Sequence, residues 1–207
     1  MPAIDAMSLP PSLPREELHL RRIELRGYRR QDGLYDIEAH MVDTKAGELT
    51  LADGRLLPPG DPLHDMWIRL VVDEELNVID IVAATDASPF GVCREATATL
   101  QTMRGLRIGA GWSLTVRQRL AGRQGCTHLT ELLSPLATVA FQTLSQLRHA
   151  RPTPVDANGK PRRIDNCYAY ASDREIVQRR WPLYYDGAGA LREPSGAEAT
   201  STRSSKE

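Results

Sequence analysis

The chain has 207 residues, 41% apolar and 26% charged, the composition of a globular protein able to bury one sizeable core. A formal net charge of −1 lacks the basic excess of a non-specific nucleic-acid binder, so nucleic acid is not an expected partner. No apolar run reaches the length of a bilayer span, and the first residues show no signal-like pattern, so a cytoplasmic protein with no membrane partner is expected.

Residues 1–17 are proline-rich and without periodicity, which predicts a flexible leader. A core domain is expected over 18–150. Ile23 and Leu25 alternate with Glu24 and Arg26, then Asp32-Gly33 gives a turn signal, and Tyr35, Ile37, Ala39 and Met41 alternate again. That pattern predicts an antiparallel hairpin with one wet face. The arginines at 15, 21, 22, 26, 29 and 30, interleaved with Glu16, Glu17 and Glu24, read as the solvated face of its first strand.

A loop of turn formers (Ala52-Asp53-Gly54, Pro58-Pro59-Gly60) leads to a second hairpin. Met66, Ile68, Leu70 and Val72 form one face of its first strand, and Ile79, Ile81 and Ala83 that of the second, after a polar turn over Asp73–Asn77. Ser88-Pro89 predicts a helix start, with Val92, Ala96, Leu100 and Met103 at helical spacing up to Gly105. Trp112–Leu120 predicts a second helix closed by Gly122. A long stripe of Leu129, Leu132, Leu133, Leu136, Ala140, Leu144 and Leu147 predicts a third, which kinks at Pro135 or restarts with Ser134 as its cap. Strands followed by helices predict an α+β fold, an antiparallel sheet of about four strands with helices on one face. Residues 151–185 are expected to be an extension packed on the core, with a small hairpin over Cys167–Tyr185. The tail 186–207, poor in large apolar residues, is expected to be disordered.

Phosphate loops, dinucleotide-binding glycine fingerprints and nucleophile elbows are absent from the sequence, which makes a non-enzymatic role the expectation. Cys93, Cys126 and Cys167 are odd in number and widely spaced, which predicts free thiols rather than a disulfide framework. Metal-capable side chains do fall at element ends: His64 and Asp65 at a strand, Cys93 in the first turns of a helix, Cys126 and His128 opening another. Both helix starts would lie near one edge of the sheet, where these groups could meet around zinc or an iron–sulfur cluster. The plainer reading makes the cysteines small buried hydrophobes and the histidines loop or surface residues, as His19, His40 and His149 are expected to be. Two further possibilities are a thiol-based sulfur or acyl carrier without metal, and a binding module for a small molecule or protein partner. In the second of these, Gly105–Gly111 and Trp112 would border the groove.

Two groups of motifs carry a resemblance. Arg29-Arg30-Gln31-Asp32-Gly33-Leu34-Tyr35-Asp36-Ile37-Glu38 with Pro62-Leu63-His64-Asp65-Met66, and Leu106-Arg107-Ile108-Gly109-Ala110-Gly111-Trp112 with Gly125-Cys126-Thr127-His128-Leu129-Thr130-Glu131-Leu132-Leu133, resemble an uncharacterised bacterial family, the domain of unknown function numbered 2889. The order His64-Asp65, strands at 66–72 and 78–84, Cys93, then Cys126 before a long helix also resembles iron–sulfur cluster scaffolds of the NifU and SufE type. That second resemblance implies His64 or Asp65, Cys93 and Cys126 as successive ligands, and so a metal- or cluster-binding accessory protein. Four departures stand against it: no cysteine at the first ligand position, Gly125 where the scaffolds have a histidine, a shorter segment between the two cysteine helices, and Pro135 within the last helix.

Overall fold

The computed structural model describes residues 9–187. The expected tail from 188 onward and the first eight residues of the expected leader lie outside them. The chain divides at Arg148/His149 into two compact units.

The first unit is built on four long strands, β1 (His19–Arg29), β2 (Tyr35–Lys45), β5 (Pro62–Val72) and β6 (Val78–Ala87). They form one antiparallel sheet in the order β1-β2-β5-β6. Two short strands, β3 (Leu49–Thr50) and β4 (Leu56–Leu57), pair within the loop where only turns were expected. Period-two alternation does the folding work here: Tyr35, Ile37, Ala39 and Met41 of β2, and Met66, Ile68, Leu70 and Val72 of β5, are all buried on one face.

The return strand departs from the expected pattern. Ile79 is exposed, whereas Val78 and Ile81 are buried. A bulge sets Val71 opposite Asp80 but Val72 opposite Val78. The extra residue reverses which side chains point inward, and strict alternation cannot foresee that. The turn before it is held by Asp73, whose Oδ1 accepts bonds from the Glu75 and Asn77 amides at 3.0 and 2.8 Å. This lets Leu76 take φ 67° and still be buried.

Helices cover the inner face. Helix α1 spans Trp112–Leu120 and α2 spans Thr127–Thr143, running through Pro135 as one helix with no restart at Ser134. A further short helix, α3, follows at Ser145–Ala150. Leu129, Leu132, Leu133, Leu136 and Ala140 of α2 are buried against β1, β2 and β5, while Leu147 lies beyond α2 and is exposed. The helix expected after Ser88 is instead a 3-10 helix over Gly91–Met103, with Phe90 rather than Ser88 at its cap position. Three threonine side chains accompany the tighter winding. The hydroxyls of Thr97, Thr99 and Thr102 donate to carbonyls three residues back, on Arg94, Ala96 and Thr99, which matches a tighter winding than α. Trp112, proposed above as a groove border, is buried in the core, and its Nε1 donates to the Leu133 carbonyl at 3.0 Å.

The second unit, from His149, contains an isolated bridge between Val155 and Pro161, 3-10 turns over Tyr168–Tyr170 and Pro182–Tyr184, and α4 (Glu175–Arg180). The hairpin expected over Cys167–Tyr185 is therefore absent from the described residues. Pro182 supplies no N–H to a ladder and opens a 3-10 turn, and Glu175 and Arg179 pair across one helical turn at 2.5 Å.

At Gly27 on β1 helix α2 comes close to the sheet: a Cβ there would stand 1.8 Å from Thr143 Oγ1. Gly27→Ala should therefore destabilise the protein by about 1–3 kcal/mol in denaturant unfolding. Gly47→Ala, with open space around it, should stay within about 0.5 kcal/mol of the parent. Equal stability of the two variants would refute the close approach.

Candidate metal centre

Antiparallel pairing places three residues of adjacent strands in one row. Arg21 of β1 stands opposite Asp43 of β2, and Asp43 stands opposite His64 of β5. All three share the inner face, beyond the end of the apolar rows. Asp43 and His64 are 1% and 7% exposed, so neither group can rely on water and each must find a partner in the protein.

They find each other. Arg21 grips the Asp43 carboxylate with both arms of its guanidinium, Nε to Oδ1 at 2.7 Å and Nη2 to Oδ2 at 2.8 Å. His64 Nδ1 lies 3.0 Å from Asp43 Oδ2. A carboxylate can only accept, so Nδ1 carries the proton, and Nε2 of neutral His64 keeps its lone pair. His19 Nε2 adds a weaker contact to Oδ1 at 3.4 Å. Arg21 Nη1 also reaches Glu131 of α2 at 3.2 Å, tying the helix to the row.

Helix α2 brings the remaining groups. Gly125 precedes it in extended backbone, where a Cβ would stand 2.8 Å from the Leu120 carbonyl oxygen, so glycine permits the tight approach that seats the helix start. Cys126 is the N-cap residue and His128 the second residue of the helix. The rings of His128 and His64 pack at 3.9 Å between centroids, tilted by 37°. Cys126 Sγ lies 3.9 Å from His128 Nδ1. One donor atom from each of Asp43, His64 and His128 falls within 4.8 Å of the other two.

The electrostatics follow from this packing. Burial works against the Asp43 carboxylate, but the Arg21 fork and His64 more than offset it and hold its carboxyl below the ordinary carboxylate range. Burial, and then the neighbouring His128, push His64 below the usual imidazole value, against the pull of Asp43. Arg21 is raised chiefly by its hydrogen bonds to Asp43. The result is a neutral imidazole with a free lone pair, oriented by a carboxylate from behind. Metal-binding histidines commonly have this arrangement.

Of the residues singled out from the sequence, the fold brings His64 and His128 together, with Cys126 beside His128. Asp65 does not join them. One position along β5 its side chain leaves by the outer face, where it bonds His40 Nε2 at 2.7 Å. Cys93 lies in the 3-10 helix packed along β6, outside the three-residue group. All three cysteines are free. Asp43, Arg21 and Glu131 were not foreseen. The alternation was followed only to Met41, and the inward parity that Asp43 shares with Met41 was the available signal. His19 and His40, expected to lack partners, contact Asp43 and Asp65, and the His40 ring stacks on Trp67 at 3.6 Å.

In comparison with known proteins, the family described as "Protein of unknown function (DUF2889)" matches the chain over residues 19–142. No curated protein and no solved structure matches it. Among the described residues no helix is long and apolar enough to cross a membrane.

Both depressed groups have the same consequence for stability. A folded pKa below the unfolded one contributes stability that is complete above the unfolded value, about 4 for Asp and about 6.5 for His, and is lost as pH falls through the folded value. Unfolding free energy should therefore fall on acidification from pH 7 to 4. The loss should be smaller in His64→Gln, as measured by urea unfolding at each pH. The same loss in variant and parent would rule out the assigned direction for His64.

Proposed function

The chain belongs to the DUF2889 family of proteins of unknown function, and we propose that it is an accessory protein that binds a single zinc-type transition-metal ion through His64 and His128. Cys126 is the third donor in this proposal, and Asp43 orients His64. The observation that carries the reading is the convergence of Asp43, His64 and His128 in one buried corner, with His64 neutral and its Nε2 lone pair free. Imidazole and thiolate donors suit zinc and its neighbours in the first transition row. A cluster normally needs several thiolates, and this corner offers one, which favours a single ion over the iron–sulfur alternative. Asp65 and Cys93 have no part in the proposed site. A bound ion would act there as a Lewis acid or as a structural cross-link between α2 and the sheet.

Titration of the metal-free chain with Co(II), followed by visible absorption, tests the reading. One equivalent should bind with a tetrahedral d–d spectrum, His64→Gln/His128→Gln should bind none, and Cys126→Ser should lose only the sulfur-to-cobalt charge-transfer band. Binding that survives the double histidine variant would refute it.

A second reading draws on the position of Cys126 at the N-terminus of a 17-residue helix, beside an imidazole. A thiol-based sulfur carrier without metal would use that sulfur as its nucleophile. In that case Cys126 would be alkylated much faster than Cys93 and Cys167 in metal-free protein, and uniformly slow labelling of the three would refute it.

A further inference from the structure

Strand β6 is an edge of the sheet, and its exposed backbone is capped by side chains with one gap. The hairpin bond from the Arg30 amide to the Leu34 carbonyl sets the parity of the ladders. Counting across the register, Val82 and Ala84 exchange bonds with β5, so Ile79, Ile81, Ala83 and Thr85 turn their N–H and C=O groups outward. Most of that edge is blunted. Arg104 Nε donates to the Ile79 carbonyl at 3.3 Å, Gln101 Nε2 donates to the Ile81 carbonyl, and Asp80 Oδ1 accepts from the Ile81 amide at 2.9 Å. Beyond the gap, Arg94 Nη2 donates to the Asp86 carbonyl at 3.2 Å. Among the described residues no such cap reaches Ala83 or Thr85.

A cavity of about 400 Å³ opens at this place, lined by Ala83, Ala84, Thr85, Asp86, Arg94 and Thr97. Thr85 is 7% exposed, and its Oγ1 also lacks a hydrogen-bond partner. Buried polar groups left open in this way are costly, and a bound molecule that pairs with them removes the cost. Asp86 and Arg94 form no ion pair among the described residues, so a chain terminus of either sign finds a counter-charge there.

We propose that this window binds a short extended peptide as a miniature added strand, independently of the metal reading. An extended backbone repeats its donor–acceptor pair every second residue, as Ala83 and Thr85 do. The caps at Ile81 and Asp86 limit the added segment to about three residues. The ligand is therefore a tripeptide-sized chain rather than a long strand of a partner protein.

Titration of the ¹⁵N-labelled, EDTA-treated full chain with trialanine tests this. The Ala83 and Thr85 amides should shift saturably, and trisarcosine, which has no internal amide N–H, should leave them unmoved. Ala83→Pro removes one outward donor while leaving the β5 ladder intact, and should weaken trialanine binding about tenfold. Arg94→Ala, a surface change, should also weaken it. Trialanine leaving both amides unshifted, trisarcosine shifting them equally, or both variants binding as the parent does would each overturn the proposal.

Discussion

The inner corner of the sheet depends on one carboxylate. Asp43 lies where the apolar rows of β2 and β5 run out, almost fully buried, and an ionised group in that place is tolerable only with a charge and donors around it. Arg21 supplies the charge from the strand on one side, and His64 a donor from the strand on the other. Because each strand contributes one residue to the row, the contact also fixes register: a slip by one residue would turn Arg21 or His64 to the wet face and leave Asp43 unpaired.

Helix α2 is positioned at both ends by the absence of a side chain. Gly27 lets Thr143 settle directly on β1 near the helix C-terminus, and Gly125 lets the chain turn closely past Leu120 just before the N-terminus. Leucines at helical spacing supply the adhesion between these points. The Arg21–Glu131 contact ties the first turns of the helix to the charged row. His128 is thus held against His64 by backbone packing, which locates a ring more firmly than a surface contact would.

Much of this architecture could be read from the chain. Alternation in 35–41 and 66–72, the turn at Asp32-Gly33 and the leucine stripe after Cys126 each carry a period that only one secondary structure satisfies. The bulge at Val71/Val72 was not legible, since a single extra residue leaves no mark on composition. The 3-10 helix was hidden because apolar spacing over 92–103 suits an α-helix as well, and the threonine hydroxyls that bond back three residues leave no mark on that spacing. In the corner, His64 and His128 stood out because histidines at element ends do. Asp43 and Arg21 did not, because a polar residue in an alternating strand looks solvated until its face is known. Asp65 lies one position from His64, which in a strand is the difference between the two faces.

Arg21 also bears on the role that Asp43 would play in the proposed site. Both carboxylate oxygens already accept from the guanidinium, and Oδ2 accepts from His64 as well, so the negative charge is answered before any cation arrives. A metal drawn to Asp43 would have to displace the fork or sit beside a fixed positive charge, and either is unfavourable. With the fork in place, Asp43 serves better behind His64 than in front of it: it fixes the tautomer and aims Nε2 outward. The Cys126 sulfur, at the N-cap of α2 and 3.9 Å from His128 Nδ1, is then a donor that lies outside the fork. In the proposed site the two histidines would supply direction, and the sulfur a third donor.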